Sequence, residues 1–200
     1  MNIDNSIIHN NTGITAGGIY LQGVQGGIIS NCVISENNGG YGGGLYTLTN
    51  TSPDITNTSF VRNISNTNGG AMRLSTRANI DIENCTLYGN IAYGTGNGIY
   101  TDTRYENEVA PEANISESNI SGGGYGLYND EAASVIVATN NYWGHTSGPY
   151  HPTQNSSGQG DSVNTFVNVD PWLSSPHPDA PPIPAQNTTV TGTGNDFISL

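Results

Sequence analysis

The chain has no lysine, and its four arginines face 16 carboxylates, for a formal net charge of -12. A nucleic-acid surface needs a basic footprint, so this composition excludes one. It also excludes attraction to an anionic membrane surface. No apolar run is long enough to cross a bilayer as a helix, so no membrane insertion is expected. The opening "MNIDNSIIHNN" lacks the basic start and apolar stretch of a secretory leader. Because Met1 falls inside the repeat described next, the sequence is expected to be a piece of a longer polypeptide. No Gly-x-Ser-x-Gly elbow occurs, and the glycine-rich "GGYGGG" at 39–44 is followed by neither a phosphate-binding lysine nor a helix.

Glycine (27 residues) and tyrosine (11) are plentiful, amid much Asn, Thr and Ser. The stretches "GGIISNCVISEN" and "NIDIENCTLYGN" share an isoleucine, then asparagine and cysteine, an aliphatic residue and a closing asparagine. The isoleucine recurs as Ile3, Ile29, Ile55, Ile82 and Ile115, then as Val137, at spacings of 26, 26, 27, 33 and 22. A second marker, glycine followed by an apolar residue and usually tyrosine, recurs at Gly18, Gly44, Gly70, Gly98 and Gly126. Two markers with one shared period and short, glycine-flanked strand candidates define a solenoid. The spacings place an inserted loop around Arg104–Glu112 and a shortened coil after Ile115. Stacking at the roughly 4.8 Å strand spacing pairs each strand with its own copy in the next coil, in parallel. The expected fold is all-β, a right-handed parallel β-helix of about six coils, its hand following the crossover preference.

Residues at one repeat position then form a column. Ile3, Ile29, Ile55, Ile82, Ile115 and Val137 are expected to point inward. So are Ile8, Ile34, Phe60, Leu87, Ile120 and Tyr142, and Ile19, Leu45, Ala71, Ile99 and Leu127. Asn5, Asn31, Asn57 and Asn84 form one turn column and Asn11, Asn37, Asn63 and Asn90 another, suited to left-handed backbone and to amide ladders. Cys32 and Cys85 share a column with Thr58 between them. Two coils separate their Cα atoms by roughly 9–10 Å, beyond disulfide reach, so two free, inward thiols are expected.

The stretch "NNYWGHTSGPYHPTQNSSGQGDSVNTFVNVDPWL" at 140–173, with repeats such as "GGGLYTLTNTSPDITNTSFVRN", resembles secreted bacterial right-handed β-helix repeat proteins of the pectin-lyase-like superfold. Tyr142 stands where that pattern has a first tryptophan. The resemblance implies a secreted, extracellular or cell-surface protein, but the superfold hosts lyases, hydrolases, adhesins and spacers alike. The expected organisation is coils over 1–138 and a cap over 139–173, with Trp143, Tyr150, Phe166 and Trp172 as its lid. A proline-rich linker over 174–186 follows, then 187–200 as the start of a further β domain or an added strand. The N-terminal coil shows no cap of its own, which leaves end-to-end self-association open.

Three groups can carry chemistry. Tyr20, Tyr46, Met72, Tyr100 and Tyr128 follow the inward column by one residue and should point outward. Such a stripe, with Tyr105 in the inserted loop, either stacks on sugar rings or stiffens the sheet. Asp102 and Asp130 sit four residues after Gly98 and Gly126, as neighbours in adjacent coils. With Arg73 and Arg104 they form a candidate glycosidase or lyase centre, or a solvated acidic pair. Asp54, Asp81 and Glu83 lie on one outward face and are a candidate calcium site, as Asp102 and Asp130 are in part; solvated charge is the alternative, and no other cofactor is expected. His145 and His151, in the cap with Asp161, show no recognised metal spacing. The leading expectation is a non-catalytic extracellular or cell-surface module presenting a face to a glycan or partner, or acting as a spacer. The alternatives are a polysaccharide lyase or glycoside hydrolase and a self-assembling fibre protein.

Overall fold

The computed structural model describes residues 1–105 and 107–183. Four parallel sheets form a solenoid, in which successive turns of chain add strands to each sheet; the first and fourth run its length. The first sheet stacks Asn2–Asp4, Gln25–Ser30, Ser52–Thr56, Asn79–Glu83, Glu112–Ser116, Ile136–Val137 and Val167–Asn168. The second stacks Ile7–His9, Val33–Ser35, Ser59–Val61, Thr86–Tyr88 and Asn119–Ser121. The third holds Thr12–Gly13, Asn38–Gly39, Ile64–Ser65 and Ile91–Ala92, and has no strand in the shortened coil. The fourth stacks Ile19–Gln22, Leu45–Leu48, Met72–Ser75, Ile99–Asp102, Tyr125–Asn129 and Gly160–Val163, with Pro149–Tyr150 at its edge. Among the described residues no helix is long and apolar enough to cross a membrane.

The columns set this register. Ile3, Ile29, Ile55, Ile82 and Ile115 pair rung to rung, as do Ile8, Ile34, Phe60, Leu87 and Ile120. Of these ten side chains, all but Ile3 and Ile8 are buried, and each buried one contributes about 1.5–3 kcal/mol before entropy is counted.

Three expected column members are displaced by one residue. Met72, not Ala71, pairs with Leu45 and Ile99. The sequence "GGAM" offers two glycines to align. The backbone takes Ala71 as the counterpart of Gly44 and Gly98, since Gly44 N–H donates to Ala71 O and Ala71 N–H to Gly98 O. Val137 pairs with Asn114 and is 38% exposed, leaving Ile136 and Ala138 to fill the core. Asn119 pairs with Tyr142, so Trp143 follows Ile120 and lies fully buried at the end of the solenoid. A Cβ on Gly126 would stand 3.1 Å from that indole, so the absence of a side chain there makes room for it.

The asparagine columns divide the two roles expected of them. Asn5, Asn31, Asn57 and Asn84 all have φ between 48° and 54°, the left-handed bend between the first and second sheets. Asn11, Asn37, Asn63 and Asn90 instead form a side-chain ladder. Each of the first three donates Nδ2–H to the next residue's Oδ1 at 3.0 Å. Each of the last three also donates to a backbone oxygen of the preceding coil, that of Ile8, Ile34 or Phe60. Cys32 and Cys85 are free and buried. Cys32 N–H donates to Thr58 Oγ1, the residue between them in the column.

The cap is also the last part of the solenoid, since Gly160–Val163 and Val167–Asn168 extend the fourth and first sheets. His151 is fully buried within it, taking N–H bonds from Thr153 and Gln154 on Nδ1 and facing Val167 O with Nε2. Trp172 packs against the core. Tyr150, expected in the lid, is 43% exposed, because alternation turns Pro149 inward and Tyr150 out. Residues 176–183 lie against the second sheet. His177 exchanges two hydrogen bonds with the Asn119 amide, and Thr86 Oγ1 donates to Pro181 O. Residues 187–200, expected to begin another β domain or add a strand, lie outside the described residues.

Candidate functional site

The outward face of the fourth sheet carries the tyrosines in one column, but the member between Tyr46 and Tyr100 is Arg73 rather than Met72. The one-residue offset at Ala71 turns Met72 into the core and Arg73 outward. The flat stripe expected from sequence is therefore interrupted by a guanidinium. Its Cζ lies 5.6 Å from the ring centroid of Tyr46, 5.3 Å from Tyr100 and 5.2 Å from Tyr41. These are cation–π distances, and desolvation strengthens such contacts.

Arg73 reaches one rung along to Asp102, with Nε donating to Oδ1 and Nη2 to Oδ2. Ser75 Oγ donates to the same carboxylate. Arg73 and Asp102 are each 7% exposed. The bidentate geometry is what a planar guanidinium and a carboxylate favour. Asp130, expected beside Asp102, does follow it in register, since Thr101 pairs with Asn129. Its carboxylate has a different partner: Tyr100 OH donates to Asp130 Oδ2 at 2.8 Å. Burial first, and then this bond, push the Tyr100 hydroxyl well above its ordinary value.

Arg104 begins the inserted loop and folds back over the face. Its Nη1 donates to Tyr46 OH at 2.8 Å, and its Cζ lies 4.5 Å from the centre of the Tyr41 ring. The bond to Tyr46 is the main reason its guanidinium holds its proton more firmly than usual. Under this cover Tyr46 has no exposed surface; Tyr100, beside Arg73, is 6% exposed. The open rings are Tyr20 (43% exposed) and Tyr105 (52%) at one end and Tyr125 (39%) at the other. Tyr20 packs on Tyr46 at 5.5 Å, while Tyr100 and Tyr128 stack at 6.1 Å with Tyr125 edge-on to Tyr128. Burial, with Tyr46 and Tyr105 nearby, raises the Tyr20 hydroxyl as well.

The structure thus gathers Tyr20, Tyr46, Arg73, Tyr100, Asp102, Arg104, Tyr128 and Asp130 on one face. Sequence reasoning missed Tyr41, which bridges the two arginines. Its only signal is an aromatic residue standing alone in a glycine-rich turn. Ser75 was missed because its neighbour is set by the Ala71 offset. Asp54, Asp81 and Glu83 lie apart, on the first sheet. Asp54 and Asp81 directly precede the paired Ile55 and Ile82, and Asp81 accepts a bond from Asn114. Among the described residues no group of three or more His, Cys, Asp or Glu is placed to hold a metal ion.

These features define a parallel β-solenoid with an aromatic, arginine-bearing face. Residues 1–111 match the family model for the right handed beta helix region, and the chain belongs to that family. No curated protein and no solved structure matches the chain.

Proposed function

We propose that the chain is a non-catalytic β-helix module of an extracellular or cell-surface protein, and that it holds a carbohydrate chain against the fourth sheet. The observation that carries this reading is the closure of the Arg73–Asp102 pair beneath Tyr46 and Tyr100. A general acid or base must exchange its proton with substrate. Here Asp102 is engaged by Arg73 and Ser75, Asp130 by Tyr100, and Arg104 by Tyr46. The groups that would serve a lyase or hydrolase thus support a rigid aromatic surface, whose open rings are available for stacking on sugars.

Affinity electrophoresis through gels containing neutral and acidic polysaccharides tests the reading. Retardation by at least one polysaccharide is expected, and Tyr20→Ala with Tyr105→Ala should abolish it. Unretarded migration of the wild type in every gel, or retardation untouched by the double substitution, counts against it.

A further inference from the structure

On the first sheet, away from the tyrosines, the inserted loop and the turn before Ile136 enclose a cleft of about 630 Å³. Val109, Ala110, Glu112, Ala133, Val135 and Val137 are among the residues lining it. Val109 is 58% exposed, Val135 62% and Val137 38%. The core does not require these valines. Ile136 and Ala138 fill the interior of that rung with no exposed surface, and alternation leaves positions 135 and 137 to solvent. The neighbouring strand presents Glu112 and Asn114 at its outward positions, and the strand before it Asn79, Asp81 and Glu83. Three exposed β-branched residues converging on one cleft, beside rungs whose outward residues are Asn79, Asp81, Glu83, Glu112 and Asn114, mark a contact surface.

Charge selects the occupant. Glu108 and Glu112 line the cleft, and Asp81 lies one rung away, joined to Asn114. Beside the cleft Arg77 is held by Glu108 at 2.8 Å. The other three arginines face Glu36, Asp102 and Tyr46, and the chain has no lysine. The chain thus has no further arginine or lysine to set against these carboxylates, and electrostatic complementarity favours a cationic partner. We infer that this cleft docks an extended cationic segment of a partner protein, seating an apolar side chain among Val109, Val135 and Val137 while flanking Lys or Arg residues face Glu112 and Asp81. This site is independent of the aromatic face and of the carbohydrate reading.

The test is fluorescence anisotropy at physiological salt, titrating the full chain into a labelled peptide whose central Val-Leu-Val is flanked on both sides by lysines. Saturable binding is expected. Val135→Ser with Val137→Ser should weaken it about tenfold, which is about 1.4 kcal/mol. A peptide with serines at its centre should lose affinity by a similar factor. Glu112→Gln should weaken binding and reduce its salt dependence. Tyr20→Ala should leave it unchanged. The three positions are at the surface, so unchanged melting temperatures will show that the variants fold. Absence of binding to the lysine peptide, equal binding of the serine-centred peptide, or insensitivity to the valine substitutions overturns the inference. So does calcium binding by the acidic rungs without any peptide binding.

Discussion

Arg73 and Asp102 form a two-pronged ion pair across one rung of the fourth sheet, each 7% exposed and sealed by tyrosine rings. Removing one partner of such a pair leaves a buried charge uncompensated. Arg73→Ala is expected to destabilise the protein by about 3–5 kcal/mol. Replacing both residues by apolar ones of similar volume should cost much less than the sum of the single changes. Urea denaturation of the two single variants and the double variant reads the difference as a coupling energy.

The amide ladder gives a graded prediction. Asn63 is fully buried and bonds to Asn37, Asn90 and Ile34 O, whereas Asn11 is exposed at the end of the ladder. Asn63→Ala should cost about 2–3 kcal/mol by leaving buried polar groups unpaired. Asn11→Ala should cost about 1 kcal/mol or less. Denaturation midpoints at constant slope check the ranking.

Both thiols should be unreactive in the folded protein. Burial pushes the Cys85 thiol up to about 12, so almost none of it is the reactive thiolate at neutral pH. A thiol reagent should find no free thiol natively and two in denaturant without reductant. No thiol in denaturant would indicate a Cys32–Cys85 disulfide and contradict the column register.

Asp161 gives a pH dependence. Burial raises its carboxyl from 3.8 to about 6, despite backbone N–H bonds from Gly123 and Gly122. The folded state therefore holds a proton that the unfolded chain releases first. The stability this contributes is fully present below pH 3.8 and is lost as pH rises through about 6. The loss is on the order of 2 kcal/mol, since the carboxyl keeps some contact with water. Asp161→Asn should match the wild type near pH 3.5 and exceed its stability at pH 7. Paired melting curves at the two pH values measure it.

The period of about 26 residues, the parallel sheets and the inward isoleucines were legible because a solenoid writes the same burial demand once per turn. The free cysteines followed from the same arithmetic. The failures in the core columns are all single-residue offsets where the repeat marker is ambiguous: Ala71 beside Gly70, Val137 beside Ile136, Trp143 beside Tyr142. In a strand such an offset exchanges the inner and outer faces. That is why Arg73 entered the tyrosine column unannounced and brought Asp102 and Ser75 with it. Tyr41 and the cover provided by Arg104 depend on turn and loop conformation, for which the repeat gives no template.

The most direct measurement is a single incubation with a panel of acidic and neutral polysaccharides, with and without calcium, read for both bound protein and newly formed chain ends. The account predicts bound protein with neither unsaturated products nor new reducing ends. Chain cleavage that Asp102→Asn or Asp130→Asn abolishes, in variants that remain folded, would contradict it.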